Sequence, residues 1–118
     1  MPDVRRVVVT GIGCVTPIGT GVEALWEGLQ ARRSAVRTIT RFDPSPFRSR
    51  IAAEIPDFRP QDFLDDRRAR RYDRFSQLAV VAAGLALTDA ALVLERENRD
   101  RVGTMMGSAL GGVAHAEQ

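Results

Sequence analysis

The hydrophobic pattern of this chain changes character most sharply inside Asp65–Leu92, DDRRARRYDRFSQLAVVAAGLALTDAAL. The first half is dense in arginine. From Leu78 to Leu87 every residue is apolar or glycine, so a helix there would be apolar all round and would need cover on more than one side. Asp73 stands at the N-cap position of such a helix, which makes Arg67–Tyr72 a separate short helix or an angled first turn. Gly84 in the helix middle costs about 1 kcal/mol against alanine, so the pattern predicts a close packing contact there.

Elsewhere the periodicities are shorter. Arg6–Thr10, RVVVT, is a β-branched run stopped by Gly11 and predicts a buried strand of a parallel or mixed sheet. Gly11–Gly19 is a turn-rich connection. Thr20 and Glu23 have the spacing of a capping box, and Val22, Leu25, Trp26 and Leu29 share one face of a helix predicted to end near Arg32. Four prolines break up Ser34–Pro60, leaving Ile51–Ile55 as the one plausible strand there. Pro60–Phe63 suits a single helical turn. A second strand is predicted over Val102–Met106, leading into GSALGG at Gly107–Gly112, and VAHAEQ begins a further helix.

The order strand, helix, broken segment, helix, strand describes an α/β unit that does not close. We therefore expect residues 1–118 to be the front part of a larger domain, with no internal repeat, linker or boundary.

Composition narrows the function classes. A chain of 118 residues that is 44% hydrophobic has the make-up of one globular domain rather than a disordered segment. The longest apolar run is half of the roughly 20 residues that a membrane span needs, and nothing at the N-terminus resembles a secretory signal. The default expectation is a cytoplasmic protein with no membrane partner. All seventeen basic residues are arginines, which removes lysine Schiff-base chemistry and the phosphate-loop lysine from this chain. One cysteine, Cys14, cannot form an internal disulfide, and one histidine, His115, cannot build a metal site alone. No metal and no cofactor are expected.

Gly11 and Gly13 follow a predicted strand, but the dinucleotide fingerprint needs a third glycine where Thr16 stands, and Arg32 and Arg33 occupy the region of its acidic residue. A structural turn is the better reading. GSALGG is either a turn that lets backbone pass closely or the border of a ligand site. Cys14 reads as a small buried hydrophobe and His115 as a surface or helix residue.

Arg67, Arg70, Arg71 and Arg74 are spaced i, i+3, i+4 and i+7 and would share one helical face, with Asp65 and Asp66 near its start. Such a run is a solvated face, a nucleic-acid patch or a docking surface for an acidic protein. Only Tyr72 and Phe75 interleave it, which makes nucleic acid the weaker partner.

Taken together, RRVVVTGIGCVTPIG at Arg5–Gly19, FDPSPFRSRIAAEI at Phe42–Ile55, RRYDRFSQLAVVAAGLAL at Arg70–Leu87 and RVGTMMGSALGG at Arg101–Gly112 resemble the N-terminal part of the β-ketoacyl-acyl-carrier-protein synthases. These are the elongating condensing enzymes of fatty acid and type II polyketide synthesis. The resemblance covers nearly the whole chain and does not choose between the two pathways. It implies a thiolase-like αβαβα fold, of which this chain is an incomplete N-terminal portion. It also implies a cysteine thiolate that takes an acyl group from a carrier, and two histidines that assist decarboxylation and stabilise the oxyanion.

In the family those three residues lie after GSALGG, so neither Cys14 nor His115 inherits a role, and the resemblance assigns no catalytic residue here. It does imply that Leu110 contacts the growing acyl chain near a dimer interface, with Ala109 in place of the more usual glycine. It implies too that Arg67, Arg70 and Arg71 meet the acidic helix of acyl carrier protein. The parent would be a homodimer or half of a ketosynthase heterodimer. The alternative is a non-catalytic chain-length-factor-type subunit sharing the same N-terminal motifs. A third class, a stand-alone basic binding module, requires these residues to fold by themselves.

Overall fold

The structure is a computed structural model and describes residues 4–112. The predicted helix over 113–118, His115 included, lies outside the described residues.

Backbone pairing is local throughout. Val15–Thr16 (β1) and Gly19–Thr20 (β2) form a minimal antiparallel hairpin, closed by Thr16, whose Oγ1 donates to the Gly19 carbonyl at 2.8 Å. Helix α1, Val22–Gln30, follows directly. Its N-cap position is taken by Gly21 at φ 84°, and no side chain caps it. The Thr20–Glu23 capping box therefore does not form, because Thr20 is committed to β2. Gly28 of α1 is buried against Ile18, so close that a β-carbon would lie 2.8 Å from the Ile18 carbonyl oxygen. The opposite side of α1 is open: Val22, Trp26 and Leu29 are exposed.

Val36–Thr38 (β3) pairs antiparallel with Ile51–Ala53 (β4), Arg37 opposite Ala52. The sequence predicts β4 but not β3, which is three residues long and has no alternation to read. Just after β4, Glu54 organises the loop that joins the two strands: its carboxylate accepts from Thr40 Oγ1 at 2.7 Å, from Thr40 N and from Arg41 N. Phe42 and Phe47 meet edge to face, their ring centroids 5.7 Å apart.

A single 3-10 turn at Pro60–Asp62 leads into α2, Asp66–Arg71, and then α3, Arg74–Asp89. Asp73 caps α3 as the sequence predicts, its Oδ1 accepting from Ser76 N at 2.9 Å. Two further 3-10 turns, Leu94–Arg96 and Arg99–Arg101, complete the regular structure among the described residues.

Three expectations are corrected. Arg6–Thr10 forms no strand and leaves Val7, Val8 and Val9 exposed, and Val102–Met106 likewise forms none, since no partner strand lies beside either among the described residues. A β-carbon at Gly84 would meet no other segment of the described residues within 4 Å. The close approach on α3 is made instead by Gly11 and Gly13, whose backbone lies against Ala82, Ala86 and Ala90, spaced four residues apart on one helix face. The Ile12 amide donates to Asp89 Oδ2 at 2.8 Å along the same seam.

Phe58, Ala69 and Val81 are the buried apolar residues among those described. A radius of gyration of 17.8 Å also exceeds the roughly 13 Å of a closed domain of this length. Helix α3 is thus covered along its glycine seam, while Val80 and Leu87 remain exposed.

Candidate functional site

The arginine-rich α2 is the chemically distinctive surface. Asp65 starts it, one carboxylate oxygen accepting from the Arg68 amide at 2.9 Å and the other pairing with Arg68 Nε at 3.3 Å. This is the one ion pair among the described residues, and both side chains are exposed. Ala69 is the inward residue, 6% exposed, so a six-residue helix presents one small contact to the protein and four guanidinium groups to water. The last turn is basic, which suits the negative end of the helix dipole.

Arg67, Arg70 and Arg71 are exposed, as the sequence predicts for one face. Arg67 and Arg71 border two shallow concavities, one completed by Asp65, Arg68 and Tyr72 and the other by Asp66 and Arg70. With Arg68 tied to Asp65, the positive potential of this surface rests mainly on Arg67, Arg70 and Arg71.

Arg74 does not join them. Tyr72 and Asp73 are extended, so the helical register breaks and α3 restarts in a new direction. The Arg74 guanidinium lies 4.8 Å from the Phe58 ring centroid and donates to the carbonyls of Ile55 at 2.6 Å and Phe58 at 3.2 Å. Burial, and next the charge of Arg41, lower its pKa. It is a strut of the fold, and the i+7 expectation is corrected for that reason. Phe63, stacked on Phe58 at 6.0 Å, extends the same cluster.

Leu110 is 78% exposed on the glycine turn that follows Val102–Met106. That turn is held by Ser108 Oγ, which accepts from Gly111 N at 2.8 Å, and it packs where a Gly111 β-carbon would lie 2.7 Å from the Phe75 ring. Gly112, at φ 81°, sits beside Asp73. The structure therefore brings the Leu110 turn to the α2–α3 corner, at the same end of α3 as the arginines.

Cys14 is a free, half-buried thiol whose carbonyl accepts from Gly21 N. The described residues contain no histidine and no cluster of His, Cys, Asp and Glu able to hold a metal ion. No helix of the described residues is long and apolar enough to cross a membrane.

Two residues at this corner escape a reading of the sequence alone. The inward turn of Arg74 had a partial signal in Asp73, whose cap implies a break in the arginine face. Gln77 donates from Nε2 to the carbonyls of Ala69 and Tyr72, and a lone glutamine on a helix carries no signal at all.

Residues 4–118 match the family described as "Beta-ketoacyl synthase, N-terminal domain". The chain belongs to this family. Among its relatives, a 3-oxoacyl-[acyl-carrier-protein] synthase 2 of Coxiella burnetii is 44% identical over 97% of this chain and 28% of its own length. The protein of the same name from Synechocystis is 43% identical over 92% of this chain and 26% of its own length. A solved structure, the ishigamide ketosynthase/chain length factor, aligns with a TM-score of 0.69 at 45% identity, over 77% of this chain and 23% of that one. The fold is accordingly a partial thiolase-like arrangement of strand and helix layers. The chain spans about a quarter of the length of the curated relatives it matches.

Proposed function

We propose that these 118 residues are the N-terminal portion, without internal boundary, of a cytoplasmic, dimeric 3-oxoacyl-[acyl-carrier-protein] synthase. The observation that carries this reading is identity of 43–44% across nearly the whole chain to proteins of that name. In the parent, a cysteine thiolate beyond these residues takes an acyl group from its carrier thioester and releases the carrier thiol. Malonyl-carrier then loses carbon dioxide, and the carbanion so formed attacks the acyl thioester. The new carbon–carbon bond displaces the cysteine thiolate and leaves a 3-oxoacyl-carrier two carbons longer.

Within this reading Arg67, Arg70 and Arg71 dock the acidic acyl carrier protein, and Leu110 borders the acyl chain. Exposed ion pairs are weak singly, so the surface acts mainly on encounter. The test uses the full-length protein that contains these residues. Replacing the three arginines by glutamate should raise the KM for the carrier about tenfold while leaving acylation by a small thioester intact. Unchanged carrier kinetics would remove the docking role.

The solved relative named a ketosynthase/chain length factor favours one second reading, a non-catalytic subunit paired with an active ketosynthase. Mass spectrometry after incubation with an acyl thioester separates the two: an acylated cysteine supports the enzyme, and none supports the partner subunit.

A further inference from the structure

Helix α2 has six residues, whereas an isolated helix shorter than about 12–15 residues is marginal in water. Four of the six are arginines, whose mutual repulsion loosens it further. It must be held from outside. Asp65 holds its N-terminus, and the buried Ala69 gives it one inward contact.

Its C-terminus has carbonyls with no helical partner, as at any helix end. Gln77, in the second turn of α3, supplies donors for two of them: Nε2 donates to Ala69 O at 2.8 Å and to Tyr72 O at 2.9 Å. Both protons of that amide are used, and the two bonded carbonyls bracket Arg70 and Arg71. The frame that carries Gln77 is itself fixed, since Asp73 caps the Ser76 amide and the Gln77 amide donates to the Asp73 carbonyl. One side chain thus ties the last turn of α2 to α3 on either side of two of the three outward arginines.

We propose that Gln77 is a positioning residue for carrier recognition, locking the last turn of α2 so that Arg70 and Arg71 are presented in a fixed geometry. This rests on the reading of Arg67, Arg70 and Arg71 as the docking surface. An arginine fork that is already oriented loses less freedom on pairing with a carboxylate, and that saving is the advantage the amide confers.

The experiment uses the full-length protein with Gln77→Met, which keeps the length of the side chain and removes both donors. Loss of two neutral hydrogen bonds should raise the KM for acyl carrier protein about 3- to 10-fold. The kcat, and acylation by a small carrier-free thioester, should stay within about twofold. In a background carrying Arg70→Glu and Arg71→Glu, Gln77→Met should add nothing further, because it acts through those residues.

An equal fall in carrier-dependent and carrier-free rates would show a purely structural role and overturn the proposal. An additive effect in the double-glutamate background would overturn it as well. If the double-glutamate protein itself keeps the normal carrier KM, the docking reading falls and takes this proposal with it. Gln77→Glu, which keeps size and a polar tip, provides the same test if Gln77→Met does not fold. Failure of both to fold would make Gln77 a residue of the fold alone.

Discussion

A methyl group added at Gly13 tests the seam between the N-terminal segment and α3. A β-carbon there would lie 2.5 Å from the Ala86 amide nitrogen, 3.0 Å from the Ala82 carbonyl carbon and closer still to the Ala82 carbonyl oxygen. These are backbone atoms of an intact helix and cannot rotate away. The segment must instead lift off α3, which costs about 1–3 kcal/mol as overpacking. Lifting also stretches the bond from the Ile12 amide to Asp89, whose charged acceptor adds about 1–2 kcal/mol.

Gly13→Ala should therefore destabilise the full-length protein by about 2–5 kcal/mol. The assay is the midpoint of chemical denaturation, with hydrogen exchange at the Ile12 amide reporting the local opening. Gly84→Ala is the control. A β-carbon there would meet no other segment of the described residues within 4 Å, so relief of the glycine penalty should stabilise by about 1 kcal/mol. A Gly13→Ala effect inside 0.5 kcal/mol, roughly the spread of neutral surface changes, would refute the seam. Rescue by Ala82→Gly or Ala86→Gly would refute the claim that the contact is with backbone.

Two further outcomes follow from side chains that organise the loops. Arg74→Met should lower stability by about 2–3 kcal/mol in thermal unfolding, because the Ile55 and Phe58 carbonyls and the Phe58 ring lose their shared partner. Arg74→Lys, a point charge without the planar fork, should recover less than half of that; full recovery would show that charge alone matters. The Glu54 pKa is lowered, first by the Thr40 hydroxyl, so its contribution is present above the usual carboxylate range and is lost as pH falls through the lowered value. Protection of the Thr40 and Arg41 amides, corrected for intrinsic exchange, should fall on acidification, and Glu54→Gln should flatten the dependence. Protection that rises in acid would contradict the assignment.

What the sequence disclosed follows the range of the interactions involved. Capping is local, so Asp73, the break before α3 and the 3-10 turn at Pro60–Asp62 were legible from a few neighbouring residues. A strand is a property of two segments, and the valines of Arg6–Thr10 signal apolar extended backbone without saying what pairs with it. The three residues of β3 carry too little pattern to be seen. Glycine is costly in a helix, which singles out Gly84, whereas the glycines that the packing requires are those facing the helix from outside, Gly11 and Gly13. At the candidate site the three outward arginines were legible from spacing. The inward turn of Arg74 was not, because the helix break rotates the next residue away from the face that spacing assumes. Gln77 depends on how two helices meet, which no local pattern encodes.

The outward face of α2 has a consequence for control. These 118 residues contain no lysine, so this face offers no side-chain amine whose acetylation would remove charge. That route for switching off the positive field of Arg67, Arg70 and Arg71 is therefore closed. The pull of this face on an anionic partner is set instead by ionic strength, by the partner's own charge and by the carboxylate already beside it, Asp65.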